Sequence, residues 1–268
     1  MDIELRQASL HWQQHCVFSD LSLTLPSGQW TSILGQSGVG KSSLLQLLCG
    51  IADEASISGD IYCSDDLPLT GRVAWMAQQD LLLPWLSVLD NVLLGARLQS
   101  GKIATEQTEQ ARYLLQQVGL SDRANARPAQ LSGGQRQRVA LARTLFQDQP
   151  LICMDEPFSA LDAITRLKLQ DLAADLLADR TVLMITHDPL EALRLSDRIL
   201  VLQGSPARLS DPIQPSGQPP RAVHDDQVLQ LQARLLELLA GGSLLAEGAM
   251  LADGYLLAKG SQLAEGSP

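Results

Sequence analysis

The chain has 268 residues, of which 45% are hydrophobic and 19% are charged. This is enough apolar material for a core, and the length allows one large domain or two small ones. Aromatic residues make up only 4% of the chain, so we expect a core of Leu, Ala, Val and Ile. The 20 basic and 30 acidic residues give a formal net charge of -10. This charge argues against general nucleic-acid binding, because such proteins normally present a basic face.

The cysteine content indicates a reducing compartment. The 4 cysteines lie far apart and form no CxxC pair: Cys16, Cys49, Cys63 and Cys153. We expect them to be reduced, mostly buried thiols of a cytosolic protein, rather than disulfides or zinc ligands.

The chain shows no membrane-targeting pattern. Met1–Arg6 is charged and leads into an alternating segment, so we expect no secretory signal. The most apolar stretches, Leu44–Ala52 and Leu81–Leu89, are shorter than the roughly 18 apolar residues that a spanning helix needs. The sequence therefore predicts a soluble protein whose membrane role, if it has one, comes through a partner.

The first part of the chain combines short β-like runs with one helix. Leucines at helical spacing predict a helix over Ser42–Gly50, directly after a loop that contains several glycines. Pro26–Gly28 gives a turn signal. The candidate strands are Ile3–Leu10, Val17–Leu25, Trp30–Leu34, Ile57–Cys63 and Arg72–Met76.

The next part of the chain is helical and is followed by alternating strands and helices. Helices are predicted over Thr105–Val118, which Gly119 ends, and from about Gly134 to Phe146. Strands alternating with helices predict a mostly parallel α/β sheet, with residues 80–147 as a helical subdomain. The later strands are Leu151–Met154, Thr181–Ile185 and Arg198–Leu202, and the later helices Ala163–Leu177 and Leu190–Leu195.

The periodic pattern weakens after residue 204, so we expect the main domain to cover residues 1–204. Residues 205–226 contain a Pro-, Ser- and Gly-rich stretch and are predicted to be a linker. Residues 227–240 have a leucine stripe at helical spacing, which predicts a helix whose apolar face packs or contacts a second copy. Residues 241–268 form a tail of unassigned role, for which partial disorder is the default expectation.

Residues 35–42 form a candidate phosphate loop. They match GxxxxGK[ST] between a predicted strand and a predicted helix. The glycines let backbone N–H groups converge on phosphate oxygens, Lys41 reaches the β- and γ-phosphates, and the Ser42 hydroxyl can bind Mg²⁺. The motif alone leaves kinases, GTPases, motors and transport ATPases open. Its residues are Gly35, Gln36, Ser37, Gly38, Val39, Gly40, Lys41 and Ser42, with Ser43 directly after them.

Two further patterns carry anion or metal chemistry. An apolar strand ends at Asp155 and Glu156, where one carboxylate would face Mg²⁺ and the other would orient or deprotonate water. The alternative is a strand that simply stops at charged residues. Ser132 and the glycines after it open a helix and form a second nest of N–H donors. Because this nest has no lysine of its own, we infer that it completes the nucleotide site of another copy.

These motifs, in this order, resemble the ATP-binding subunits of ABC transporters over about residues 3–204. The resemblance implies a P-loop NTPase fold with a RecA-like parallel-sheet core, an N-terminal antiparallel β subdomain and a helical signature subdomain. Trp12 occupies the position of the aromatic that stacks on adenine, although a half-buried strand aromatic is the alternative reading. The other family positions are Gln78 of the Q-loop (preferred over Gln79), the signature Leu131, Ser132, Gly133, Gly134 and Gln135, Asp162 of the D-loop (Ser159–Asp162) and the switch His187.

The resemblance also implies a mechanism. Two ATP molecules would be held between two copies in head-to-tail orientation, each between the phosphate loop of one copy and the signature of the other. Glu156 would polarise the attacking water and His187 would contact the γ-phosphate. Asp155 would hold Mg²⁺ together with Ser42 and Gln78, and Asp162 would communicate across the dimer.

The implied partners are two transmembrane permease subunits and, indirectly, a solute-binding protein, with no nucleic acid. The permease would dock near Leu83–Trp85 and hold the chain peripherally at the cytoplasmic face of the inner membrane. Gln78–Val92 and Asp155–Thr165 are similar to the nitrate/sulfonate/taurine-type importer ATPases, and we favour the hydroxymethylpyrimidine/thiamine-precursor branch of that group. The alternative is a soluble ABC ATPase of an assembly machine that works without a permease.

Overall fold

The computed structural model describes residues 1–52 and 55–240 of the chain. Its strands are β1 (Ile3–Trp12), β2 (His15–Leu25), β3 (Trp30–Leu34), β4 (Ala55–Cys63), β5 (Val73–Met76), β6 (Leu151–Asp155), β7 (Thr181–Ile185), β8 (Arg198–Gln203) and β9 (Arg208–Leu209). Its helices are α1 (Lys41–Cys49), α2 (Val88–Val92), α3 (Leu94–Ser100), α4 (Thr105–Gln117), α5 (Gly133–Phe146), α6 (Ala163–Leu176), α7 (Pro189–Leu195) and α8 (226–240). Short 3-10 turns cover Ser121–Arg123 and Pro128–Gln130.

The strands form two sheets. The larger has the order β5-β6-β7-β3-β8-β9, and its first five strands are parallel. The smaller is antiparallel, with the order β2-β1-β4. The predicted α/β fold, with a parallel core and an N-terminal antiparallel β subdomain, is confirmed.

The parallel sheet is covered on both faces, which explains why its strands are continuous apolar runs. Side chains alternate between the faces. Leu151 and Cys153 of β6 point toward α1 and the antiparallel sheet, whereas Ile152 and Met154 point toward the core of α2, α4 and α5. The sheet thus holds α1 and α5 on opposite sides of the same strands.

The β1–β2 hairpin is longer than the sequence indicated. We expected β1 to end at Leu10, but Trp12 pairs with His15 across a tight turn. Gln13 adopts a φ of 54° at this turn, a left-handed conformation that the chain needs to reverse direction within so few residues. The extension places Trp12 at the tip of the hairpin.

The segment 205–226, which we expected to be a linker, packs against the main domain. β9 pairs with β8, and the Ala207 amide donates to the Val17 carbonyl at 2.8 Å. Arg221 is only 5% exposed. Its guanidinium donates to backbone carbonyls of Leu193, Ser196, Pro215, Ser216 and Gly217. A buried guanidinium is tolerated only when its donors are satisfied, so this contact fixes the path of the segment.

The C-terminal helix α8 packs against the main domain through a buried apolar cluster. Val228 and Leu235 are buried in a cluster with Leu34, at the end of β3, and Leu193 of α7. The predicted apolar face of this helix thus packs on the domain of its own chain. The predicted tail, residues 241–268, lies outside the described residues. Within the described residues, no helix is both long and apolar enough to span a bilayer.

Candidate functional site

The phosphate loop lies between β3 and α1, as the motif predicted. Gly38 and Gly40 adopt φ values of 81° and 108°, which favour glycine because it lacks a Cβ. A Cβ at Gly40 would lie 2.4 Å from the Val17 side chain, and one at Gly35 would lie 2.5 Å from the Leu202 carbonyl oxygen. Gly38 is therefore favoured by its backbone conformation, Gly35 by close packing and Gly40 by both.

Lys41 points back into the curl of the loop. Its ammonium donates to the carbonyl oxygens of Gly35 at 2.7 Å and Gln36 at 2.8 Å. Burial lowers the pKa of Lys41, an effect that the nearby Glu156 and Asp155 carboxylates oppose. The loop thus places one cation at its centre. Around it, Gln36, Ser37 and Gly38 are exposed and Val39 is half-buried.

Ser42 and Asp155 form the candidate magnesium site. The Ser42 hydroxyl donates to Asp155 Oδ2 at 2.8 Å. Burial raises the pKa of the Asp155 carboxyl, and the nearby Glu156 raises it further. Magnesium is usually bound by a few hard protein oxygens together with water and phosphate oxygens. A hydroxyl paired with a buried carboxylate fits this preference, and a cation there would relieve the cost of burying the Asp155 charge.

Glu156 lies directly after β6, between two polar side chains. Gln78 Nε2 donates to Glu156 Oε2 at 3.2 Å, and His187 Nδ1 lies 3.1 Å from Glu156 Oε1. The structure therefore brings together the three residues that the sequence predicted to be catalytic. Each of them follows the carboxyl end of a parallel strand, β5, β6 or β7, and these ends meet at one edge of the sheet.

The backbone of Glu156 has an unusual conformation. Its φ is 49°, a left-handed value that is uncommon for a residue with a side chain. Its amide donates to the Ile185 carbonyl at 2.8 Å and so continues the β6–β7 pairing by one residue. Its carbonyl accepts from the Ser159 hydroxyl at 3.0 Å. These contacts aim the side chain away from the strand and toward Gln78 and His187.

Trp12 lies beside the helix that follows the phosphate loop. Its indole N–H approaches the Ser43 hydroxyl oxygen at 3.5 Å, and its ring is half-buried against the core. This placement puts the indole beside the first turn of α1, next to the phosphate loop.

The signature opens α5. Ser132 Oγ accepts from the Gln135 amide at 3.2 Å, and Gln135 Oε1 accepts from the Ser132 amide at 2.8 Å. This capping box leaves the amides of Gly133 and Gly134 at the helix start, where backbone donors have no intrahelical acceptor. Leu131 is buried and anchors the turn. Within residues 1–52 and 55–240, no hydrogen bond joins the signature to the phosphate loop of the same chain.

Asp162 of the D-loop caps a helix. Its carboxylate accepts from the Thr165 amide at 3.0 Å at the start of α6. This backbone hydrogen bond is the main cause of the lowered pKa of Asp162. The side chain is otherwise exposed. Within its own chain, the role that these contacts show for Asp162 is to cap α6.

Sequence reasoning missed three side chains on α5, one of which contacts the predicted site while the other two contact Asp80, two residues after Gln78. Gln137 is buried and donates to the Glu156 carbonyl at 3.1 Å. Arg136 pairs with Asp80 at 2.9 Å, and Arg143 donates to the Asp80 carbonyl at 2.7 Å. One signal was present in the sequence, since Gln137 is a polar residue at a position whose spacing to Leu141 and Thr144 places it on the buried face of the helix.

Comparisons with known proteins point to one family. The family model described as "ABC transporter" matches residues 18–159. An uncharacterized ABC transporter ATP-binding protein of Haemophilus influenzae is 48% identical over 89% of this chain and 99% of its own length. The aliphatic sulfonates import ATP-binding protein SsuB 1 of Paracoccus denitrificans is 44% identical over 75% of this chain and 79% of its own length.

A solved structure shares the fold. It is a dimeric ATP-binding cassette in a post-hydrolysis state with bound ADP and Pi. It matches this chain with a TM-score of 0.70 at 30% identity, and the match covers 81% of this chain and 100% of the other.

Proposed function

This chain is an ATP-binding protein and ATPase of the ABC transporter family, and we propose that it energises import of a small organic solute through a separate membrane permease. The observation that carries the hydrolysis step of this proposal is the arrangement around Glu156. Its carboxylate lies between Gln78 and His187, beside the Ser42–Asp155 pair. This geometry supports attack of a water molecule on a phosphate held by the loop around Lys41.

In the proposed hydrolysis, different residues bind the nucleotide, hold Mg²⁺ and activate the attacking water. The loop amides and Lys41 bind the β- and γ-phosphates, and Trp12 stacks on adenine. Asp155, Ser42 and Gln78 would hold Mg²⁺, which when bound neutralises charge on the phosphate oxygens. Glu156 accepts a proton from the attacking water, and His187 holds that water and the γ-phosphate in line.

We propose that a second copy completes each site. The signature amides of Gly133 and Gly134 point to an anion, yet no hydrogen bond links them to the phosphate loop of the same chain within the described residues. The related cassette with ADP and Pi is a dimer. In a head-to-tail dimer, the signature of one copy faces the γ-phosphate on the other, and Asp162 lies where the copies meet. ATP then favours the closed dimer because only ATP contacts both copies.

Exposed apolar side chains after Gln78 support the proposed permease contact, and the name of one relative supports the proposed class of solute. Trp85 is 66% exposed and Leu81 is 50% exposed next to Gln78, which offers an apolar contact for a permease that would hold the chain at the cytoplasmic face of the membrane. The Paracoccus relative is named for import of aliphatic sulfonates, and we propose a solute of that class, delivered by a solute-binding protein. The hydroxymethylpyrimidine branch stays a prediction.

Substitution of Glu156 tests the proposed chemistry. We expect Glu156→Gln to lower kcat for ATP hydrolysis by about 100-fold or more, because a neutral amide cannot accept the proton. ATP binding persists, so the variant should form an ATP-dependent dimer that size-exclusion chromatography detects. Glu109→Gln, at an exposed position on α4, serves as the control with wild-type turnover. A Glu156→Gln variant that hydrolyses ATP at the wild-type rate would rule out this role.

Membrane fractionation tests the coupling to transport. The chain should sediment with membranes only when a sulfonate-type permease is co-expressed. Equal membrane association without any permease, or none with it, would favour the assembly-type ATPase.

A further inference from the structure

Gln137 connects three parts of the site through one buried side chain. It lies on the second turn of α5, the helix that the signature opens, and is 6% exposed. Its Nε2 donates to the Glu156 carbonyl at 3.1 Å, and its Oε1 accepts from the Ala160 amide of the D-loop at 3.1 Å. Both ends of the amide are therefore committed to the turn that follows β6.

The turn from Glu156 to Ala160 depends on such support. Glu156 has a φ of 49°, a conformation that persists only where surrounding contacts fix it. The Ser159 hydroxyl donates one hydrogen bond to the Glu156 carbonyl, but Ser159 belongs to the same turn and moves with it. Among residues 1–52 and 55–240, Gln137 is the hydrogen-bond donor to this carbonyl that comes from another element.

Packing reinforces the connection. A Cβ on Gly134 would lie 3.3 Å from the Ala160 carbonyl oxygen and 3.4 Å from Leu161 Cδ2. The first turn of α5 thus lies directly against the D-loop, and the hydrogen bonds of Gln137 continue this contact as far as Glu156. A shift of the signature helix therefore reaches the backbone that carries the carboxylate.

We propose that Gln137 is a positioning residue for ATP hydrolysis: it holds the Glu156 carbonyl, and thereby sets the direction of the Glu156 carboxylate, from the signature helix of the same chain. Because both ends of its amide bind the backbone of the turn, Gln137 acts through Glu156 and not on the nucleotide or the attacking water. The inference rests on the proposed role of Glu156 as the base.

Two substitutions separate the contacts. Gln137→Met keeps the length of the side chain but removes both hydrogen bonds. Gln137→Glu keeps an acceptor for the Ala160 amide, but the introduced carboxyl donates to the Glu156 carbonyl only when it is protonated. Burial raises the pKa of a carboxyl group, so lowering the pH favours the protonated form that can donate to the Glu156 carbonyl.

Gln170 provides a matched control. It is a buried glutamine on α6, 2% exposed, which donates to Glu191 at 3.2 Å and accepts from Arg194 at 2.6 Å. Gln170→Met loses the same kind of contacts away from the turn at Glu156. Any loss of turnover that comes from general destabilisation alone should appear in both methionine variants.

Steady-state kinetics of the purified full chain test the inference. We expect Gln137→Met to lower kcat about tenfold or more with KM for ATP within about twofold, whereas Gln170→Met keeps kcat within about twofold of the wild type. For Gln137→Glu, the ratio of kcat to the wild-type value should rise at least about fivefold as the pH falls from about 9 to about 6.

Two results would overturn the inference. One is a kcat for Gln137→Met within about twofold of the wild type. The other is a ratio for Gln137→Glu that does not depend on pH. If Glu156→Gln is inactive while Gln137→Met is fully active, the proposed role of Glu156 stands and only the positioning role of Gln137 fails.

Discussion

Glu191 lies next to the candidate site, and its buried carboxyl group titrates near neutral pH. Its Oε1 accepts from Gln170 Nε2 at 3.2 Å on the inner face of α7. Burial raises the pKa of Glu191 to about 7, because the charged form loses its hydration. In the unfolded chain the same group ionises near its ordinary value of about 4.3. The folded state therefore binds this proton over a pH range in which the unfolded state has released it.

The sign of the resulting pH dependence follows from linkage. A raised folded-state pKa stabilises the protein below the unfolded pKa, and this contribution is lost as the pH rises toward about 7. At each pH, the free energy of unfolding of Glu191→Gln is subtracted from that of the wild type. We expect this difference to fall by about 3 kcal/mol as the pH rises from about 4.5 to about 7.5. Urea unfolding of both proteins over this range measures the difference. A difference that stays constant with pH would contradict the expectation.

Single residues show where sequence reasoning about the site works and where it stops. Lys41, Asp155 and His187 were predicted because each has a fixed offset from a recognisable strand or loop. Gln137 and Arg143 were not, because their importance comes from which carbonyls they reach in three dimensions. Every residue has a backbone carbonyl, so the sequence does not indicate which one a side chain will bind.

At the scale of elements, α5 connects the signature to the segment after Gln78. Arg143 donates to the carbonyls of Asp80 at 2.7 Å and Leu81 at 2.9 Å. Burial lowers the pKa of Arg143, and the neighbouring Asp80 opposes that shift. Leu81 itself has a φ of 46°. One helix therefore carries the signature at its start and holds the proposed permease-docking segment further along.

Hydrogen exchange tests this connection. We expect Arg143→Met to speed amide exchange over residues 80–83 by about tenfold or more, because hydrogen bonds to a charged donor are worth about 1.5–3 kcal/mol each. Arg138→Met is the matched control on the same helix, since Arg138 donates to the Val118 carbonyl at 2.9 Å. The control should affect exchange near the end of α4 only. Unchanged exchange over residues 80–83 in Arg143→Met would contradict the connection.

The elements differ in how well the sequence predicted them. β6 and β7 were placed to within a residue because both of their faces are buried, which makes them continuous apolar runs. The segment 205–226 was expected to be a linker because Pro, Ser and Gly mark the absence of helix and strand. Its packing comes from long-range contacts of Arg221 and β9, and composition carries no signal for these.

At the scale of the whole molecule, we propose that the chain supplies two incomplete halves of a nucleotide site. One half is the phosphate loop with the Glu156 group, and the other is the signature at the start of α5. Within the described residues, no hydrogen bond joins these halves. The sequence indicated this division through a second anion nest that has no lysine, but the approach of two copies depends on surfaces that no single motif describes.

The dependence of ATPase activity on protein concentration tests this central claim most directly. Specific activity should be measured over a dilution series, with the fraction of dimer determined by sedimentation velocity in the presence of ATP. If each site needs the signature of a second copy, specific activity falls on dilution in proportion to the dimer fraction. Full specific activity at a dilution where only monomers remain would contradict it.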